Sequence, residues 1–523
     1  MGLKRRGRWI LSGMLLALFI ALCYAALEPL LWSWSFPLVP TLPPTSTPRP
    51  TSTFPPTRTP LPLLPTETPT ATPTPWPWDQ APTQYLLEAR FDYLRQQVQV
   101  QEVITYTNTT GQPLDQIPLI LEPARYPGVL YFQGVRLGRE RPKAALYEVE
   151  GPRVTVHLAP PLEPGQTVTL RVSFILALPR LTGRPGPESP MVFGYTSRQT
   201  NLTDWYAFIP PHHPQKGWLM HTPWYHGEHL VYPLADFDVR LELVNIPQPF
   251  DIVTNALPVP CPEDRPNARC YHLEQARQVV FSMSPYYRRV QAQAQPDIQV
   301  EGFFFLAEEA FGRDMVAATV EALETYSALF GPYHRSRLTL VQADFPDGME
   351  YDGLYYVSSR FFDFYNGDRA SFLITIAVHE TAHQWWFAQV ANDQALDPWM
   401  DEALATYAEA LYYEHQYPRG LDWWWTYRVD YYNPRGPIDR SIYDYIGWRA
   451  YRDAVYLRGA YFLRDLRAMM GDAAFFTFLQ AYRDRWAGHI ADPRDFFALV
   501  AEYAPDDAWR SVAETYFLEP PLP

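Results

Sequence analysis

Residues 374–386 read Ile-Thr-Ile-Ala-Val-His-Glu-Thr-Ala-His-Gln-Trp-Trp. The pattern is helical, and His379 and His383 stand four positions apart on it. Such residues share one face about one turn apart, so both imidazoles reach a single metal ion. Glu380, beside the first histidine, is placed against a water at that ion. Further on, residues 397–407 read Asp-Pro-Trp-Met-Asp-Glu-Ala-Leu-Ala-Thr-Tyr. Asp397-Pro398 starts a second helix there, which brings Glu402 as a third ligand. Two histidines and one glutamate leave a position open on a tetrahedral Zn²⁺, the arrangement of a catalytic site rather than a closed structural one. One zinc ion is expected, although these ligand types also admit Co²⁺ or Mn²⁺. Water activated there would attack a carbonyl, with Glu380 as the general base.

Working outward, the segment after residue 296 has a helical period. Val316, Val320, Leu323 and Phe330 share one face that ends at Gly331-Pro332, and the run from Leu338 to Val341 reads as a buried strand. Apolar-periodic segments at about 370–391, 400–417, 450–470 and 474–486 make this half mostly helical. Upstream the period is two. Val98, Val100, Ile104 and Tyr106 alternate with polar residues, as do Val168, Leu170, Val172 and Phe174, and Phe237, Val239, Leu241 and Leu243. The fold class expected is therefore α+β multidomain, with a β-rich domain over 84–295 and the helical, metal-bearing domain over 296–523.

The first 83 residues are of another kind. Lys4, Arg5, Arg6 and Arg8 precede an uncharged run from Trp9 to Leu27, and Trp32, Trp34 and Phe36 follow. Residues 1–36 thus read as a signal anchor with a cytoplasmic N-terminus, placing the rest of the chain outside the cell membrane. A cleaved signal peptide is the competing reading, on Ala21, Ala25 and Ala26. Residues 37–83 are a Pro/Thr-rich stalk that has too few apolar residues to build a core, with 16 of the chain's 54 prolines. A formal net charge of −14 argues against a nucleic-acid partner held by phosphate contacts. With three cysteines, one of them Cys23 in the apolar run, iron–sulfur clusters and all-thiolate zinc sites are excluded. Cys261 and Cys270 are able to pair outside the cytoplasm.

The spacing His379-Glu-Thr-Ala-His383, eighteen residues, then Glu402 resembles the zinc signature of the aminopeptidase N family, a gluzincin family. Gly348-Met349-Glu350, with Glu350 standing 29 residues before His379, is similar to the family's Gly-x-Met-Glu-Asn stretch. Val455-Tyr456-Leu-Arg-Gly459-Ala460 resembles its Tyr-x-x-Gly setting. Softer matches lie in the β-rich half, at Tyr106-Thr-Asn108, Pro161-Leu-Glu-Pro-Gly165 and Ala235-Asp-Phe-Asp-Val239. The resemblance implies an N-terminal saddle-like β-domain and a thermolysin-like catalytic domain. It further implies that Gly348, Met349 and Glu350 bind substrate, with the Glu350 carboxylate on a free α-amine, and that Tyr456 stabilises the oxyanion. Partners are then peptides with a free N-terminus, and the membrane through the N-terminal helix.

Three departures from the family bear on the site. Tyr351 replaces the family's Asn. The chain ends at 523 without the long C-terminal helical domain of larger members, which predicts a more open site. No Pro-x-x-Asp-x-Pro stretch marks a second amine-binding residue in the β-domain, where Gln199 is a weak candidate by location. An endopeptidase or oligopeptidase of the same fold is one alternative, and a non-catalytic surface binding or scaffold protein is another. His212, His213, His226 and His229 have no spacing that fixes a second metal site. Tyr355 and Tyr356 are the aromatics best placed to face substrate, and Asn108 and Asn201 lie in glycosylation sequons.

Overall fold

In the computed structural model, residues 82–138, 143–182, 190–263 and 268–520 are described. The expected anchor at 1–36 and the stalk as far as residue 81 lie outside them. The first strand begins at Thr83, the residue expected to end the stalk.

The alternating segments form strands. In Gln97–Thr107 the side chains of Val98, Val100 and Ile104 are fully buried while their neighbours face outward. Eight strands make one large sheet, in the order 257–259, 268–276, 235–244, 83–92, 97–107, 167–177, 130–137 and 143–144. Thr83–Asp92 runs parallel to Ala235–Val244 and antiparallel to Gln97–Thr107. A three-stranded and a four-stranded sheet close the apolar face, so that Ile117, Val156, Trp205, Phe281 and Met283 join Leu87, Phe91 and Phe174 in one core. Cys261 and Cys270 form a disulfide at the sheet's outer edge.

A five-stranded sheet opens the second domain, in the order Tyr287–Ala294, Ile298–Phe305, Arg337–Ala343, Leu354–Ser358 and Gly348–Tyr351. Its first strand pairs in a hairpin with the second, so the boundary expected at 295/296 falls in a turn inside this sheet. Both segments of that hairpin are strands, so no change from strand to helix marks where one domain yields to the next. Gly348–Tyr351 is an edge strand, paired on one side with Leu354–Ser358. Helix α1 (Glu309–Phe330) stops at Gly331, whose φ of 101° suits a residue without a Cβ.

Helices α2 (Phe372–Ala382) and α3 (Trp399–Gln416) pack against each other, and α2 also packs against the edge strand. The segment expected to be helical to 391 leaves the helix after Ala382. Trp385 there turns into the core, its indole N–H donating to the Gly331 carbonyl at 2.8 Å. Helix α4 (Gly459–Met470) lies along α3. Gly459 permits that approach, since a Cβ on it would stand 2.4 Å from the Cβ of Ala403.

The two domains are pinned by buried polar groups. Arg277, from the β-rich domain, is 1% exposed and donates to the carbonyls of Tyr232, Ala388, Gln389 and His489. Asp352, fully buried, accepts from the guanidinium of Arg335 and from the backbone N–H of Arg277.

Candidate active site

Helix α2 presents His379 and Glu380, and its C-terminal turn presents His383. The first turn of α3 presents Glu402. These side chains are almost wholly buried, which places the cluster deep rather than on an open surface. His379 Nε2 lies 3.1 Å from His383 Nε2 and 3.2 Å from Glu402 Oε2, and His383 Nε2 lies 3.5 Å from the same oxygen.

The other nitrogen of each ring is committed. His379 Nδ1 lies 2.8 Å from Glu409 Oε1, and His383 Nδ1 lies 3.0 Å from the Trp386 carbonyl. Carboxylates and carbonyls only accept, so both Nδ1 atoms carry protons and both Nε2 lone pairs point inward, towards each other and towards a carboxylate. A cation relieves that crowding. Zinc bonds of 2.0–2.1 Å in a tetrahedron separate the donors by about 3.3 Å, which matches the observed spacings. The residues therefore fit the ion, and His379, His383 and Glu402 would hold it.

Protonation reports the same crowding. Burial alone would raise the Glu402 carboxyl, but hydrogen bonds from His379 and His383 and their charge bring it down to about 2. Burial would lower His379, yet its bonds to Glu402 and Glu409 raise it, so without a cation a proton on Nε2 takes the place that the ion would fill.

Glu409, one helical face and two turns from Glu402, is itself held. It accepts from Trp424 Nε1 at 2.7 Å and from Arg428 Nε and Nη2 at 2.9 Å each. Trp424 and Arg428 come from one π-helical turn, Trp424–Val429. A second π-helical turn, Asp453–Arg458, carries Tyr456. The Tyr456 hydroxyl donates to Glu402 Oε1 at 2.5 Å, and its ring stacks on His379 with centroids 5.9 Å apart.

Glu380 faces the edge strand. A Cβ on Gly348 would fall 1.9 Å from Glu380 Oε1, so the glycine leaves the space this carboxylate occupies. Glu380 Oε2 is buried and has no hydrogen-bond partner among the described residues. Burial and the nearby Glu350 charge push its carboxyl well above the ordinary range, against the opposing charge of His379 and His383. Glu350 lies two residues after Gly348, on the same face of the strand. One oxygen each of Glu350 and Glu380 and one nitrogen of His383 lie within 4.8 Å of one another. Met349, on the opposite face, packs partly buried against the cluster that holds Phe345 and Tyr356 and does not join the site.

Several expected candidates lie elsewhere. Tyr355 and Tyr356 are fully buried, with hydroxyls bonded to Thr319 Oγ1 and the Phe281 carbonyl, and they serve the core rather than substrate. Gln199 is spent on Ser282, Tyr287 and the Gln342 carbonyl. Asn108 and Asn201 are each 1% exposed and use their amide nitrogens on backbone carbonyls, so neither sequon offers a glycan site in the folded domain. His212, His213, His226 and His229 form no metal-ligating group among the described residues.

Other residues at the site were not singled out in the sequence. Glu409 was legible as a carboxylate seven positions after Glu402. Gln394 and Asp401 hydrogen-bond at 2.8 Å beneath Glu350. Glu228 arrives from the β-rich domain, and its carboxyl is pushed well above the ordinary range by burial and by the charges of Glu350, Glu402 and Asp401. Gly227 brings it there, because a Cβ at that position would meet Ile442 at 2.5 Å and the Tyr451 hydroxyl at 3.0 Å.

Residues 313–516 match the model of the peptidase family M1 domain. The chain is 30% identical over 164 residues to aminopeptidase N of Streptomyces lividans, covering 28% of this chain and 19% of that protein. It is 26% identical over 165 residues to leucine aminopeptidase 2 of Aspergillus fumigatus, covering 29% and 27%. The chain thus spans less than a third of the length of these curated relatives. Its fold is that of an M1 zinc metallopeptidase from Deinococcus radiodurans, at a TM-score of 0.60 and 20% identity, covering 85% of this chain and 96% of that one. A two-domain M1 zinc metallopeptidase bound to L-arginine gives 0.62 at 20% identity, covering 85% and 95%. The zinc donors, Glu380 and Tyr456 are thus gathered within the stretch, residues 313–516, that matches the peptidase family M1 domain.

Proposed function

We propose that this chain is a zinc aminopeptidase that removes N-terminal residues from peptides. One observation carries the reading: the Glu350 carboxylate lies within 4.8 Å of both Glu380 and His383. The α-nitrogen and the carbonyl carbon of one residue are about 2.5 Å apart, two bonds of roughly 1.5 Å at a near-tetrahedral angle. An ammonium held by Glu350 therefore delivers the first carbonyl to Glu380, and the second carbonyl lies beyond its reach. Glu228 brings a further carboxyl group to the same pocket from the β-rich domain.

When bound, zinc supplies Lewis acidity towards water and the carbonyl oxygen. Glu380 receives the proton of the attacking water and passes it to the leaving amine. Tyr456, beside the metal-binding carboxylate, turns its hydroxyl to the developing oxyanion. Glu350 fixes the register, and the edge strand Gly348–Tyr351 offers backbone groups to an extended peptide.

Residues 1–36 would anchor the protein in the cell membrane, with the Pro/Thr-rich stalk carrying the catalytic body outside. No helix among the described residues is long and apolar enough to cross a membrane, so this part of the proposal rests on the sequence of the first 36 residues. The disulfide between Cys261 and Cys270 is in keeping with an oxidising compartment.

The test is a panel of aminoacyl-coumarin substrates with free and with acetylated α-amines. Chelator-sensitive cleavage confined to free amines is expected. Equal cleavage of blocked peptides would replace the reading with an endopeptidase, and zinc binding without any turnover would leave a scaffold.

A further inference from the structure

A neutral amide lies between two carboxylates in the floor of the site. Gln394, in the segment before α3, is 4% exposed. Its Nε2 stands 3.3 Å from Glu350 Oε1 and 2.8 Å from Asp401 Oδ2. The amide nitrogen donates to one oxygen of each carboxyl group, so its two N–H groups serve one partner each. Asp401 is fixed in turn, accepting from the backbone N–H of Glu402 at 2.9 Å and from Asn392 Nδ2 at 3.3 Å. The hydrogen bonds thus run from Glu350 on the edge strand through Gln394 and Asp401 to the turn of α3 that carries Glu402.

The residue type suits amine recognition. A lysine or arginine at this place would pair with Glu350 and compete with a substrate ammonium, and a further carboxylate would repel the two already there. An apolar side chain would leave two buried acceptors without a donor. Glutamine supplies the donor without charge, so Glu350 keeps its full attraction for a cation while one of its oxygens is held.

We propose that Gln394 is a positioning residue for the amine site, setting the orientation of the Glu350 carboxylate through its link to Asp401 and so setting selectivity for peptides with a free N-terminus. The proposal rests on the reading of Glu350 as the amine anchor.

The experiment uses the full-length, zinc-loaded protein and calorimetric binding of two probes, L-leucinamide and its amine-free counterpart 4-methylpentanamide. Gln394→Met keeps the side chain's length and removes its donor. It should weaken L-leucinamide by roughly ten- to a hundred-fold, the range for losing a hydrogen bond to a charged group. Binding of 4-methylpentanamide and zinc content should stay at the wild-type level. For a free-amine substrate, KM should rise with kcat within about threefold. In a Glu350→Gln background, Gln394→Met should add less than about a twofold change, because the pair acts as a unit. Gln394→Leu is the second variant should Gln394→Met fold poorly.

Unchanged L-leucinamide binding in a folded, zinc-replete variant overturns the role of Gln394, as does equal weakening of both probes. Failure of the underlying reading looks different. There, Glu350→Gln alone leaves L-leucinamide binding untouched, whatever the Gln394 variants do.

Discussion

Gly348→Ala is expected to disable the enzyme through one methyl group. The added Cβ would lie 1.9 Å from Glu380 Oε1 and 2.7 Å from its Cδ, with Ile376 Cγ2 at 2.9 Å closing the alternative direction. Real Cβ contacts do not fall below 3.0 Å, so the carboxylate must retreat by about 1 Å. Gly348 is not in the left-handed region, and alanine adds no backbone strain there. The effect is steric and falls on Glu380. A base displaced by about 1 Å costs about a hundred-fold in rate, or about 2.7 kcal/mol of transition-state stabilisation. The metal ligands are not touched, so zinc stoichiometry should stay at one and KM should change little. Steady-state kinetics on a free-amine coumarin substrate, with metal content by mass spectrometry, reads both. A zinc-replete Gly348→Ala protein with the wild-type kcat would refute the placement of Glu380 against this strand.

Tyr456→Phe should lower kcat by about two to three powers of ten with little change in KM, as for the loss of one oxyanion donor, measured by steady-state kinetics. Glu409→Gln should weaken zinc binding by about ten- to a hundred-fold in a competition titration with a chelating dye, because it removes the carboxylate that orients His379. Asp352 sets an acid limit on stability. Burial favours its neutral form, but the charge of Arg335 and His334 outweighs this and holds the carboxyl well below the usual range. Its contribution is therefore complete above the unfolded value near pH 4 and is lost at about 1.4 kcal/mol per pH unit as the pH falls further. Asp352→Asn should remove that slope and cost about 3–5 kcal/mol at neutral pH by leaving Arg335 buried without its partner, read by denaturant unfolding across pH.

The metal centre was legible because its residues are local. His379 and His383 share a helix, and a four-residue spacing has one geometric outcome. Glu402 needed only a helix start at Asp397-Pro398. Tyr456 rested on likeness alone until the contact between Gly459 and Ala403 gave it a physical reason: the glycine lets the π-helical turn settle beside Glu402. Glu409 was within reach as the next carboxylate on the same face of α3. What could not be read is what depends on distant segments meeting. Glu228 joins the site because Gly227 lets a loop of the β-rich domain press against Ile442, and neither residue carries a pattern. Tyr355 and Tyr356 follow Glu350 closely enough in sequence to be expected at the substrate, yet their strand has neighbours on both sides and both rings are buried. The helix expected to reach 391 ended at 382 because Trp385 seeks the core beneath Gly331, a contact no local period encodes.

The proposed chemistry rests most directly on Glu380, a buried acid at the site whose Oε2 has no hydrogen-bond partner among the described residues. The measurement is Glu380→Gln in the full-length protein, with zinc content and turnover of a free-amine substrate determined on the same sample. One zinc per chain with turnover reduced by at least about two powers of ten is the expected result. Unchanged turnover at full zinc occupancy would contradict the assignment of the general base and with it the proposed chemistry.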